Sequence, residues 1–344
     1  MTRALLRSAL AFVALSFLSV TAHAGLFRAY VSSTGNDANA CTLQAPCRLL
    51  PAALAAVNDG GEIWMLDSAN YNTGSVNIAK SVNILAIPGA VGSVLNTGSD
   101  AIDINTAGVK VALRNLVITS LPGAPNSGYG INMTAGAGLT IEDCLIARNG
   151  GYGIVVIGSA DVRITDTTIR DNGSLGLFIG NGVHATVTRA TISANGGNGV
   201  HVVGSIDPST TTADIADSTI DANQGNGVYA WAPNAGGTAG AVGIIVSVRD
   251  SRLVRNVNAG ALAQSDLAGA QVTLTVSSSQ ISNNAYGIVA STANSRVWVS
   301  GNTVNNNGFG FVGDFGSVFE SAGNNALRNN GNDTFGTITA IATK

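Results

Sequence analysis

Residues 139–200 read LTIEDCLIARNGGYGIVVIGSAD, from Leu139 to Asp161, then VRITDTTIRDNGSLGLFIGNGVH, from Val162 to His184, then ATVTRATISANGGNGV, from Ala185 to Val200. The same phrase begins three times. Asn149, Asn172 and Asn195 recur 23 residues apart, each followed four residues on by a glycine (Gly153, Gly176, Gly199) and then by an aliphatic (Ile154, Leu177, Val200). A fixed period in the low twenties is the signature of stacked supersecondary units rather than of a globular core.

The asparagines continue as Asn223, Asn256, Asn284, Asn307 and Asn330, at spacings of 28, 33, 28, 23 and 23 after Asn195. The extra residues fall near Asp207–Thr212, Ala232–Gly240 and Ser265–Ala270, with a further insertion at Pro122–Asn126 in a different corner. Corners tolerate insertions because the ladders on either side are undisturbed. Three short strands per repeat carry inward columns. Ile141, Ile164 and Val187 begin the first, Ile146, Ile169 and Ile192 the second, and Ile154, Leu177 and Val200 the third. Alternation with period two sends these side chains to one face. Asp143, Asp166, Asp217 and Asp250 sit at the bend between the first two strands, where Asp tolerates left-handed backbone angles.

Working outward to the N-terminus, Met1–Arg7 is basic, Ala9–Val20 is apolar, and Ala22-His23-Ala24 has the form of a cleavage site. This predicts a Sec signal peptide over 1–24 and a mature protein that is periplasmic or extracellular. No later run is long enough for a membrane-spanning helix. Gly25–Val31 reads as a strand. Pro46–Val57 reads as a helix, with Leu49, Leu50, Ala53, Leu54 and Val57 on one side, Pro51 near its start and Gly60-Gly61 ending it. The exposed end of a stack is an open edge and an apolar cross-section, and this helix is assigned to cap it.

Only 11% of residues are charged and 43 of 344 are glycine, but 45% are apolar and periodically placed, which favours ladder-rich β structure over disorder. Without Arg3 and Arg7 the 17 basic residues fall to 15 against 20 acidic ones, and there is no basic stripe. Nucleic acid is therefore not an expected partner. Cys41 and Cys47, six apart in an exported chain, are expected to form a disulfide rather than a metal site. Cys144 occupies a small inward position filled elsewhere by Thr167, Ala190, Ser218, Ser251 and Ser279, so it reads as a buried small residue.

With these repeats, and with Tyr30-Val31-Ser32, Gly35-Asn36-Asp37, Cys41 and Pro46-Cys47 ahead of a capping helix, the chain resembles the right-handed parallel β-helix proteins of the pectate-lyase-like superfamily. The resemblance implies an all-β fold, a single-stranded right-handed parallel β-helix of about nine to eleven coils over 61–344, preceded by a strand-and-cap region at 25–60. It leaves activity open, because the superfamily holds lyases, hydrolases, esterases, epimerases, adhesins and proteins without known chemistry. The Asn-Thr-Asp, Asp-Asp and Gly-His-Gly set of the family's hydrolases is absent. Its lyases need a basic residue beside a calcium-binding acidic cluster. Arg163, Arg170, Arg189, Arg249, Arg252 and Arg255 do not converge with aspartate pairs. No cofactor is expected, beyond a weak calcium site at bend aspartates one coil apart.

The anchor asparagines read as a structural ladder, and the Gly-rich pieces as turns rather than phosphate loops. One row breaks the pattern. One residue past each inward aliphatic of the third strand stand Asn132, Val155, Phe178, His201, Tyr229, Leu262, Val289 and Val312, with Trp231 two beyond Tyr229. An outward row should be polar. Phe178, His201, Tyr229 and Trp231 are therefore candidate substrate-binding residues of a sugar-stacking groove. The alternatives are that the inserted loops fold back and bury the row, or that it is a self-association surface. His201, with Asp207 six residues on, is the candidate general base. Two functions follow: an exported protein binding or processing a polysaccharide or cell-surface glycan, or a non-catalytic surface protein serving adhesion or assembly.

Overall fold

The computed structural model describes residues 25–123, 128–205, 209–234 and 242–342. The signal-peptide reading of 1–24 and the residue Asp207 lie outside the described residues. The chain winds as a right-handed parallel β-helix of about eleven turns. Thirteen, eleven and eleven strands stack into three parallel sheets. In one coil the first sheet takes Gly138–Glu142, the second Leu145–Ala147 and the third Ile154–Ile157.

The inward columns register residue on residue. Ile141 pairs with Ile164, Ile146 with Ile169, and Ile154 with Leu177. All six are fully buried. Each such side chain contributes about 1.5–3 kcal/mol of hydrophobic stabilisation, and the core they form runs unbroken from Ala29 to Phe319. The bends behave as their residues demand. Asp143, Asp166, Asp217 and Asp250 have φ between 51° and 53°, in the left-handed region.

The asparagine ladder is intramolecular and buried. Nδ2 of Asn172 donates to Oδ1 of Asn195 at 2.9 Å, Nδ2 of Asn195 to Oδ1 of Asn223 at 2.9 Å, and the row continues to Asn330. The backbone N–H of each asparagine donates to the same oxygen, as from Asn172 to Asn195 at 3.2 Å. The glycine four residues on follows from this. A Cβ on Gly176 would lie 2.6 Å from the Gly199 carbonyl oxygen and 2.8 Å from Nδ2 of Asn195. A second ladder occupies the small inward position, where the Ser218 N–H donates to Ser251 Oγ and the Ser251 N–H to Ser279 Oγ, both at 3.1 Å. Cys144 belongs to this row. Its buried thiol is pushed up to about 12, chiefly by desolvation.

The first strand is Leu26–Val31, and Cys41 and Cys47 are disulfide-bonded with Cα atoms 4.6 Å apart. The capping helix, α1, spans only Leu50–Ala56 and buries Leu50, Ala53 and Leu54. It starts later than expected because Cys47 is tied into the first strand, its N–H donating to Tyr30 O at 2.9 Å. It also ends earlier. Gly60-Gly61 does not terminate it, because Val57 already has extended angles and opens the strand Val57–Met65, paired with Leu26. The two glycines lie within that strand, at an irregularity in its register. No described helix is long and apolar enough to cross a membrane.

Candidate functional site

The outward row of the third sheet is continuous in register: Asp103, Asn132, Val155, Phe178, His201, Tyr229, Leu262, Val289, Val312. Successive strands of a sheet lie about 4.8 Å apart, the spacing at which aromatic rings stack. The rings use it. His201 and Tyr229 stack with centroids 4.9 Å apart and planes 15° from parallel, and Trp231 lies against both, 5.8 Å from His201 and 5.6 Å from Tyr229. Phe178 meets His201 edge-on at 5.7 Å.

The four aromatic residues expected from the sequence are thus brought together, and two more join them. Tyr152 stacks over Phe178 at 6.1 Å, and Tyr129 over Tyr152 at 4.9 Å. Both precede the inward aliphatic by two residues, at the corner, and their spacing of 23 was the signal that marks them. All four expected residues are half-buried. Within the ladder, ring faces are taken by neighbouring rings. Tyr229 is different, because the next residue of the row is Leu262.

Beyond Tyr229 a groove of about 410 Å³ opens along the sheet. Leu262, Val289 and Val312 line it from the outward row, with Tyr286 and the exposed Phe315 also on its walls. Its polar lining comes from Asn226, Asn258, Gln264, Ser291 and Asp314. This volume is in the range of small-ligand sites. Gln264, Asp314 and Tyr286 were not read from the sequence, where nothing in the repeat distinguishes them from ordinary outward residues.

A polar relay fixes the end of the ladder. Tyr229 Oη donates to Gln264 Oε1 at 2.9 Å, and Gln264 Nε2 donates to the Asp266 carboxylate at 2.9 Å. Trp231 Nε1 donates to the same carboxylate at 2.8 Å. Burial, and then the charge of Asp266, push the Tyr229 phenol upward, so it remains a proton donor. Asp266 is exposed. It therefore orders both terminal rings while facing solvent.

Among the described residues His201 has no hydrogen-bond partner for either ring nitrogen, and both nitrogens are buried. Desolvation lowers it to about 4. It is a neutral ring held between rings. Asp207, its expected companion, is outside the described residues. His184 lies at the surface of the first sheet, its Nδ1 3.0 Å from Thr212 Oγ1.

At the opposite end of the row, Asn132 Nδ2 donates to Asp100 at 2.8 Å and Ser75 Oγ donates to Asp103. Burial and the adjoining Asp100 carboxylate hold Asp103 above its ordinary value, against the donors Ser75 and Asn132. Five coil spacings, about 24 Å, separate Asp103 from Tyr229. One sugar ring cannot touch both. The bend aspartates lie apart from both ends of this row. Arg189 takes the Asp166 carboxylate in a paired contact of 2.7 Å, and no group of three His, Cys, Asp or Glu side chains converges among the described residues.

The family described as Right handed beta helix region matches residues 63–240, more than half of the chain. The chain belongs to that family. The fold of this β-helix protein is shared by solved structures of low sequence identity. The A-module of Azotobacter vinelandii mannuronan C-5 epimerase AlgE4 superposes with a TM-score of 0.61 at 13% identity, covering 83% of this chain and 91% of that one. The Dettilon tailspike protein gives a TM-score of 0.54 at 13% identity, with 91% and 68% covered. The GH136 lacto-N-biosidase from Eubacterium ramulus gives 0.51 at 10% identity, with 92% and 68% covered. No curated protein matches the chain by sequence.

Proposed function

We propose that this β-helix protein is a glycan-binding protein whose site is the third-sheet groove beginning at Tyr229. The observation that carries the reading is the termination of the aromatic ladder. Tyr229 stacks on His201 on one side and lines the groove on the other, with its hydroxyl oriented by Gln264. A pyranose offers an apolar C–H face and a rim of hydroxyls. An aromatic wall, an aliphatic floor and a rim of amide, hydroxyl and carboxylate groups match both. The epimerase and lacto-N-biosidase that share the fold are named for action on carbohydrates, which supports this class of ligand.

The reading is of binding rather than bond cleavage. Among the described residues the groove is lined by one carboxylate, Asp314, and by no His, Lys or Arg. Acid–base work on a glycoside needs a second group within reach of the same bond. His201 serves here as a ring that supports Tyr229. The protein is exported by the leader at 1–24 and meets its glycan outside the cytoplasm.

Affinity electrophoresis of the mature protein in polysaccharide gels tests this, with Tyr229→Ala run beside the parent. Retardation by at least one polysaccharide, lost in the variant, is the expected result. Retardation by none, or retardation indifferent to Tyr229→Ala, would overturn it.

A further inference from the structure

The groove belongs to a sheet whose strands hold no cations. Across the eleven strands of the third sheet there is no Lys or Arg, and the charged residues are Asp103, Asp314 and Asp333. From residue 106 onward, the corners that lead from the third sheet to the first contain no Lys or Arg in the sequence, and Asp266 begins one of them. The cations sit elsewhere. Arg28, Lys110, Arg114, Arg163, Arg249 and Arg296 are on the first sheet, and Arg170, Arg252 and Arg328 on the second. On the other side of the third sheet, Arg255 is bound to Asp221 in an ion pair, and Arg148 belongs to the coil of Val155, three spacings or about 14 Å from Tyr229. His201 is neutral at physiological pH.

We infer that the groove takes an uncharged, hydroxyl-rich glycan and rejects polyuronates. The inference rests on the glycan-binding reading of the same groove and names its substrate class. A uronate laid on Tyr229 would bring a carboxylate toward Asp314 and Asp266 with no guanidinium or ammonium to receive it, and like charges brought together across a site select against the ligand. A neutral sugar meets the same groups favourably. A carboxylate that accepts from sugar hydroxyls makes charge-assisted bonds, stronger than those between neutral partners. Asp266 is already an acceptor for Trp231 and Gln264, and its exposed side has further acceptor capacity. Asp314 accepts from the Phe315 N–H through Oδ1, which leaves Oδ2 for the ligand. Shared fold with a mannuronan epimerase therefore does not carry shared substrate charge, because substrate charge is decided by outward side chains that the fold leaves free.

The test is a binding panel with two arms. One arm holds neutral polysaccharides such as glucomannan, xyloglucan and galactan, and the other holds alginate, polygalacturonate and hyaluronate. Each is measured by affinity electrophoresis at low and high ionic strength, on the mature protein, Tyr229→Ala and Asp314→Asn. The expected result is Tyr229-dependent binding of a neutral glycan at least tenfold tighter than of any polyuronate, little changed by salt. Asp314→Asn keeps the acceptor for Phe315. It should weaken the neutral ligand several-fold and narrow the gap to polyuronates. A polyuronate bound most tightly through Tyr229 would overturn the inference and leave glycan binding standing. Binding of neither arm would overturn both.

Discussion

Tyr229 stacks on His201 with centroids 4.9 Å apart, one coil from it in register, while both nitrogens of His201 lie buried without a partner among the described residues. A histidine in that position acts as an aromatic ring with an acid-sensitive liability. The parallel stack makes this unavoidable, because whatever follows Phe178 in the row must fill the one-strand gap before Tyr229.

The liability has a sign. Desolvation depresses His201 to about 4, against an ordinary value of 6.5. The folded protein therefore binds fewer protons than the unfolded chain between those values. Stability is complete above pH 6.5 and falls as pH drops toward 4, by at most about 3 kcal/mol from this residue. His201→Phe should remove that loss and spare two unpaired nitrogens, raising stability by about 1–2 kcal/mol at pH 7. Urea midpoints of the two proteins at pH 7 and pH 4.5 check it. Parallel pH dependences would refute the assignment.

Binding should separate the wall of the groove from the ladder behind it. Tyr229→Ala is expected to weaken glycan binding by about 1–3 kcal/mol, from the loss of a buried aromatic contact. Tyr229→Phe, which keeps the ring and loses only the bond to Gln264, should cost about 0.5–1.5 kcal/mol. Phe178→Ala lies two coils away and should leave affinity within twofold. Titration calorimetry with the bound polysaccharide measures all three, and an equal loss in Phe178→Ala would move the site onto the ladder itself.

The asparagine ladder should be costly to interrupt inside the stack and cheap at its end. Asn195→Ala deprives the Asn172 N–H and Nδ2 of their acceptor in a fully buried site. The expected loss is about 3 kcal/mol or more. Asn330→Ala, at the half-exposed last rung, should cost about 1 kcal/mol. Equal losses in urea denaturation would mean that the ladder is not what the interior coils depend on.

Gly176→Ala tests the spacing between coils. The added methyl would lie 2.6 Å from the Gly199 carbonyl and 2.7 Å from Ile192 Cγ2, so a loss of about 1–3 kcal/mol is expected from overpacking. Gly74→Ala, where a Cβ meets nothing within 4 Å, should be neutral or slightly stabilising. Thermal denaturation of the pair would expose the idea as wrong if both shifted alike.

Much of this was readable along the chain. A repeat of 23 residues with Asn, Gly and an aliphatic in fixed places specifies coil, corner and inward column together, since each coil buries its apolar face only against the next. Phe178, His201 and Tyr229 could be placed on one outward line, with Trp231 beside it on the same face, for the same reason. The helix was legible but its ends were not. Backbone pairing of Cys47 with Tyr30 and of Val57 with Leu26 overrode the local signals of Pro46 and Gly60-Gly61.

The periodic sequence by itself determined the fold, the rows and the absence of cations from the third-sheet strands, because register in a solenoid is local and repeats coil after coil. Only the tertiary structure decided where the aromatic row ends as a surface. It placed Gln264 and Asp266, each 35 residues after its partner Tyr229 or Trp231, at their polar atoms, and opened the groove over Leu262, Val289 and Val312. Those partners are set by which side chains face the same gap between coils, and spacing along the chain carries no record of that.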